Sequence, residues 1–194
     1  MLKKIICTAA LASTAAAAQA QAPEGARVEL LAGWDGHGVG TGDLDVPGLD
    51  LDSNGVVFGI GAGYDFAVAP GLSLGVDVEA SETTAEFELS QAGENVRLQY
   101  GRDLYAGARV SVAATEKLNL YGKLGYTNAR VEFDTNVADA AISQLAGNLD
   151  GWRLGAGAQW SLTKALYLGA EYRYSNYDGP FDRNQLLGSV GFRF

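Results

Sequence analysis

The chain has 194 residues, 26 of them Gly, with 47% hydrophobic residues, one Cys, one His and a formal net charge of -9. Such acidity argues against nucleic acid as a partner, because the phosphates would be repelled. After the N-terminal segment no run of about 18 apolar residues occurs, which excludes crossing a membrane by helices.

Residues 1–22 read as a secretory signal peptide: Lys3 and Lys4, an apolar run from Ile5 to Ala18, then Ala18-Gln19-Ala20 overlapping Ala20-Gln21-Ala22. Cleavage is expected after Ala20 or Ala22. Cys7, the only cysteine, lies early in the apolar run and not at a cleavage site. The expected mature domain, 23–194, therefore has no disulfide and no thiolate chemistry. Without Lys3 and Lys4 its charge falls from -9 to -11.

Eight segments then alternate with the period of two expected of strands exposed differently on their two faces. The first sets Val28, Leu30, Ala32 and Trp34 against Arg27, Glu29, Gly33 and Asp35. The second sets Val56, Phe58, Ile60, Ala62, Tyr64 and Phe66 against three glycines and Asp65, and the third sets Leu72 to Ala80 against Ser73, Gly75, Asp77, Glu79 and Ser81. The third is expected to continue outward through Phe87 and Leu89. In the fourth, Leu104, Ala106, Ala108, Val110 and Val112 oppose Asp103, Tyr105, Gly107, Arg109 and Ser111. The fifth places Leu118, Leu120, Leu124 and Tyr126 opposite Tyr121, Lys123 and Thr127. The sixth places Trp152, Leu154, Ala156, Ala158, Trp160 and Leu162 opposite Arg153, Gly155, Gly157, Gln159 and Ser161. The seventh sets Leu166, Leu168, Ala170, Tyr172 and Tyr174 against Tyr167, Glu171 and Arg173, and the eighth ends Leu186, Gly188, Val190, Phe192, Phe194.

The connections alternate in length. Ala69-Pro70-Gly71, Thr115-Glu116-Lys117 and Thr163-Lys164-Ala165 are tight, whereas the stretches 36–55, 84–96, 134–150 and 178–183 are longer. An up-and-down barrel with short inner turns and long outer loops has this rhythm. A Greek-key sandwich is not expected to keep it through all seven connections. The expected fold is therefore all-β, an eight-stranded antiparallel up-and-down transmembrane barrel.

Desolvation decides which face meets lipid, since a charge at the bilayer midplane of a barrel costs about 2–4 kcal/mol. The charged faces must point inward. Trp152 and Trp160, at about 3.3 Å per residue and a tilt of about 40°, are roughly 20 Å apart in height, which suits two aromatic girdles. Trp34, Tyr126 and Tyr174 are expected to join the outer one; Tyr64, Phe66, Phe192 and Phe194 the inner one.

With its signal peptide, eight strands and terminal Gly191-Phe192-Arg193-Phe194, the chain resembles the small outer-membrane β-barrel domain family of Gram-negative bacteria, the OmpA/OmpX-type and opacity-type barrels often labelled porin-like. The resemblance runs from Arg27 to Phe194. It implies a monomer in the cell outer membrane, among outer-membrane lipid and lipopolysaccharide. It also implies that Phe194 with Phe192 is the signal read by the outer-membrane assembly machinery.

Eight strands enclose little more than their own side chains. The inward acids Glu29, Asp77, Glu79, Asp103 and Glu171 and bases Arg109, Lys123, Arg153 and Arg173 are thus expected to neutralise one another as a polar plug, with inward glycines leaving room for Arg and Tyr. The sharper alternative is a gate whose pairs rearrange to pass small ions, as in a narrow porin.

In the first outer loop, Asp50-Leu51-Asp52-Ser53-Asn54-Gly55 matches half of an EF-hand loop, but its twelfth position is Gly61 where a Glu is required; with Asp43 and Asp45 the loop reads as solvated and acidic, the alternative being weak Ca²⁺ or Mg²⁺ binding shared with anionic lipopolysaccharide. His37, in Asp35-Gly36-His37, is superficially similar to the Asp-x-His element of outer-membrane aspartyl-type proteases, which are larger barrels. With no second His, it reads as a loop residue, and neither catalysis nor a cofactor is expected. The third outer loop, 137–147, is expected to form a short helix capping the mouth. A further alternative function is adhesion through outer loops 1 and 3.

Overall fold

The computed structural model describes residues 21–39, 53–91, 94–135, 144–178 and 181–194. Among them are nine strands: β1 (Gly25–Val39), β2 (Ser53–Ala69), β3 (Leu72–Thr83), β4 (Glu86–Gln91), β5 (Glu94–Ala113), β6 (Leu118–Thr135), β7 (Gln144–Ser161), β8 (Leu166–Tyr177) and β9 (Phe181–Arg193). Every neighbouring pair is antiparallel, and β9 pairs with β1 from Arg27↔Arg193 to Val39↔Phe181, which closes the sheet into a barrel.

Nine strands make eight staves. β3 and β4 both pair with β5, β3 opposite Ser81↔Asp103 and below, β4 opposite Glu86↔Gln99 and above. They are one stave interrupted at Thr84 and Ala85. The interruption stays bonded to the next stave, since Thr84 N donates to the Val56 carbonyl (2.9 Å) and Val56 N donates to the Thr84 hydroxyl (3.0 Å).

Local chemistry explains the inner turns. At Pro70-Gly71 the proline presets its own φ and Gly71 takes φ +71°, which a side chain would resist. The other two turns are built alike. Thr115 Oγ1 accepts from Leu118 N (3.0 Å) and Thr163 Oγ1 accepts from Leu166 N (2.9 Å), each closing a hydroxyl-stabilised turn.

Stagger follows from the register. Starting at Val28 and crossing Ala62, Val78, Ala106, Tyr126, Trp152, Asn176 and Asp182, the row of partners returns to β1 at Gly38, ten residues above its start. Eight staves with that shear, at about 3.3 Å per residue and about 4.7 Å between strands, tilt by about 40° and rise about 2.5 Å along the axis per residue. On this scale Trp34, Tyr126, Trp152 and Tyr174 fall within about 3 Å of one level. Tyr64, Phe66, Trp160, Phe192 and Phe194 lie about 17–22 Å lower, a separation that suits the two edges of an apolar band. Trp152 and Tyr174 touch, with ring centroids 5.6 Å apart, as do Tyr64 and Phe66 at 4.6 Å and Phe192 and Phe194 at 5.0 Å. Between the belts the outer surface is apolar, with Leu30, Ile60, Val76, Leu124 and Leu154 exposed.

Several expected loop boundaries move. His37 belongs to β1, in register with Ser53 and Arg183, and is not a loop residue. Phe181 to Arg183, expected in the fourth loop, begin β9. Gln144 to Gly147, expected in a capping helix, pair with β6 as strand, because Leu145 lies opposite Phe133 and extends the ladder. The rest of that helix, residues 137–143, lies outside the described residues, as do the loop acids Asp43, Asp45, Asp50 and Asp52 and residues 1–20 of the expected signal peptide.

Leu30 lies midway between the belts and is 66% exposed. Leu30→Arg is expected to lower the unfolding free energy in lipid vesicles by about 2–4 kcal/mol, read from denaturant titration, whereas Lys164→Ala in an inner turn shifts it by less than about 0.5 kcal/mol.

Candidate functional site: the polar lumen

Every second residue of each stave points at the axis, and these positions hold the buried charge. Among the described residues, seven acids (Glu29, Asp35, Asp65, Asp77, Glu79, Asp103, Glu171) face seven bases (Arg27, Arg109, Lys123, Arg153, Arg173, Arg183, Arg193), so the lumen is electrically neutral. They stack in three tiers along the axis.

The inner tier centres on Arg27 of β1. Its guanidinium pairs with Asp65 (2.9 Å), Glu29 (3.4 Å) and Asp77, while Arg193 of β9 also reaches Asp65 (3.1 Å). Arg109 is 3.8 Å from Glu29 and 4.0 Å from Asp77, and its guanidinium lies 3.5 Å above the Tyr121 ring. Stacking and ion pairing together hold a planar cation better than either would alone.

The middle tier is a four-charge ring in which two cations each touch both anions. Lys123 pairs with Glu79 and with Glu171 (2.7 Å); Arg173 pairs with Glu79 (2.9 Å) and Glu171 (2.5 Å). The Tyr121 hydroxyl donates to the remaining Glu171 oxygen at 2.6 Å. The outer tier centres on Asp103, which accepts from Thr127 (2.6 Å), Tyr177 (3.1 Å), Arg183 (2.6 Å) and Arg153. Arg183 also grips Asp35 through two nitrogens, at 2.7 and 2.5 Å.

Glycines make the space. A Cβ at Gly157 would lie 2.6 Å from the Tyr121 ring, and one at Gly191 only 2.1 Å from that of Tyr167. Each tyrosine lies against bare backbone of a neighbouring stave, and so the lumen holds both rings and ion pairs.

All nine charges expected in the lumen occupy these tiers. Five more belong with them. Arg27, Asp35 and Asp65 sit on inward faces that the alternation already marks, and Arg193 occupies the corresponding place beside Phe192 and Phe194. Arg183 carries no such signal, because the segment around it reads as a turn. The expected girdle residues Trp34, Tyr64, Tyr126, Trp152 and Trp160 are exposed on the outer wall and Tyr174 is half-buried there. Phe192 and Phe194 are also exposed there, at the inner end of the β1–β9 seam.

Asp103 is fully buried between two arginines that are themselves buried. Asp103→Ala, which leaves the Arg153 guanidinium without its carboxylate and Arg183 with Asp35 alone, is expected to destabilise the barrel by about 3–5 kcal/mol in denaturant titration. A loss under about 1 kcal/mol would show the tier to be open to water.

Comparison with known proteins accords with this architecture. The sequence profile of the outer membrane protein beta-barrel domain matches residues 5–194. The 31 kDa outer-membrane immunogenic proteins of Brucella melitensis biotype 1 and Brucella suis biovar 1 are 31% identical over 136 residues, a match covering 66% of this chain and 56% of the relatives. The chain thus spans little more than half the length of these relatives. Among solved structures, Neisserial surface protein A superposes with a TM-score of 0.58 at 16% identity, covering 87% of this chain and 97% of that one. Ail, the attachment invasion locus protein of Yersinia pestis, superposes with a TM-score of 0.55 at 17% identity, covering 89% of this chain and all of that one. These two likenesses are of fold. With closure, lipid-facing wall and family profile in agreement, the chain belongs to the outer membrane protein β-barrel domain family and resides in the cell outer membrane.

Proposed function

We propose that this protein is a non-catalytic, monomeric barrel that braces the outer membrane, keeps its lumen shut with paired charges and displays acidic segments outward. The observation that carries this reading is the neutral, three-tiered lumen, where each of seven acids has a basic partner. Water and ions passing through would have to break buried pairs, each of which is costly to break. The exposed Phe192–Phe194 pair at the seam supports its reading as the signal for the assembly machinery. Display outward is supported by the hairpins β4–β5 and β6–β7, which extend the wall by about 20 Å above the outer girdle at about 2.5 Å per residue. The immunogenic character printed in the name of the Brucella relatives is in keeping with exposed outer segments.

The middle tier favours a second reading, a narrow porin. Because Lys123 and Arg173 each touch both Glu79 and Glu171, partners are interchangeable without leaving any charge unpaired, and such a ring suits a gate. Adhesion through the outer hairpins is a third reading, discriminated by deleting them while the barrel stays intact.

Planar-bilayer recording of the refolded protein separates the first two. The plugged barrel is expected to show no steady current. A steady open-channel current that Glu79→Gln abolishes would overturn the plug and establish the pore.

A further inference from the structure

At its inner end the lumen is dry. Ser73 on β3 and Ala113 on β5 are the lowest inward residues of their staves, level with Phe66 and Phe194 on the outer wall to within about 2 Å at about 2.5 Å of rise per residue. Both are buried, at 0% and 1% exposure. An open mouth would leave this layer to water, just as the outward side chains of Phe66, Val68 and Leu74 are left to lipid. The charged tiers lie above Ser73 and Ala113 and do not close them from below.

The segment before β1 is placed to do so. Ala22 and Pro23 are buried, whereas Gln21 and Glu24 beside them are exposed. Two consecutive buried residues do not belong to a stave, where burial alternates, and the first residues of a domain are exposed unless something holds them. The outer wall does not bury them, because Ala26, Val28, Phe66, Phe192 and Phe194 around this end are themselves exposed. What remains is the space beneath the axis.

Gly25 supplies the bend. It takes φ +105°, which a side chain would resist, and a Cβ there would come within 2.2 Å of the Phe194 carbonyl oxygen. Pro23 and Ala22 follow at about 7 and 10 Å of chain from Gly25, at about 3.3 Å per residue, and the axis of an eight-stave barrel lies about 8 Å from its wall. The two buried residues are thus the two that reach the axis. The covered layer fits them chemically. The Ser73 hydroxyl is buried with no hydrogen-bond partner among the described residues, so what covers it offers none. Pro23 has no N–H, and Ala22 has no polar side-chain atom.

We propose that, after export, residues Gln21 to Glu24 fold under the barrel and stopper its inner mouth with Ala22 and Pro23. The proposal rests on the reading of a shut lumen and deepens it, adding an apolar seal below the three charged tiers. Gln21 and Glu24 then face the aqueous side. The stopper also distinguishes the two expected cleavage sites: cleavage after Ala20 leaves it whole, and cleavage after Ala22 removes half of it.

Because the expected mature chain has no cysteine, a single introduced thiol reports on the mouth. The refolded barrel beginning at Gln21, in nanodiscs, carries Ala113→Cys or, in a second preparation, Ser73→Cys, and is treated with a water-soluble maleimide. Both thiols are expected to react slowly. Deleting residues 21–23 is expected to speed labelling by about tenfold or more, and A22R, which keeps the chain length, to do the same. Lys164→Cys, in an exposed inner turn, reacts equally fast in all three backgrounds and shows that the reagent reaches this side. The proposal is overturned if both mouth thiols react within twofold of the same rate with and without residues 21–23. It is also overturned if mass spectrometry shows the exported protein to begin at Pro23. Labelling from the inner side needs no current through the lumen, so the two readings fail separately: a conducting barrel with protected thiols sinks the charged plug, and a silent barrel with reactive thiols sinks the stopper.

Discussion

Hydrocarbon offers no hydrogen-bond partner to a peptide group, and this constraint shapes the molecule. A sheet in lipid has no tolerable edge, so β9 must return to β1, and the closing ladder runs to the chain end, where Phe194 N donates to the Ala26 carbonyl at 2.9 Å. Closure with eight staves and a shear of ten residues makes a backbone cylinder of about 8 Å radius, an interior that side chains alone can fill.

The narrow lumen then dictates its own chemistry. Charges excluded from lipid are pressed together on the axis, where each would be expensive alone. Neutrality is reached by sharing: Asp103 serves Arg153 and Arg183, Arg27 serves Asp65, Asp77 and Glu29, and the four charges around Lys123 serve one another. Bare backbone at Gly157 and Gly191 accommodates the Tyr121 and Tyr167 rings, which present aromatic faces to Arg109 and Arg193, and the Tyr121 hydroxyl ties the inner tier to Glu171 in the middle one. The same density that occludes the barrel makes each pair depend on its neighbours.

Outside, the two aromatic levels set the depth of the barrel. Above the outer level the exposed side chains among the described residues are mixed, with Glu82, Asp150 and Asp178 on the β3 and β7–β8 sides, Arg102 and Arg130 on the β5–β6 side and Val56 on β2.

Much of this was legible in the residues. The period of two in segments such as 152–162, the tight turns at Pro70-Gly71, Thr115 and Thr163, and the cost of charge in lipid are local or solvent-level effects, and they sufficed for an eight-stranded barrel with Glu29, Asp77, Glu79, Asp103, Arg109, Lys123, Arg153, Glu171 and Arg173 turned inward. Loop ends such as Phe181 to Arg183 were not legible, because a strand that continues into water loses the apolar alternation that announces it.

By itself, then, the sequence determined the stave count, the lipid-facing side and the cast of buried charges. Only the tertiary structure decided who pairs with whom: Arg183 meets Asp35 across 148 residues of chain, and Lys123 meets Glu79 across 44. Pairing is a property of register between staves, and register is set by closure of the whole ring, which no local stretch of residues encodes.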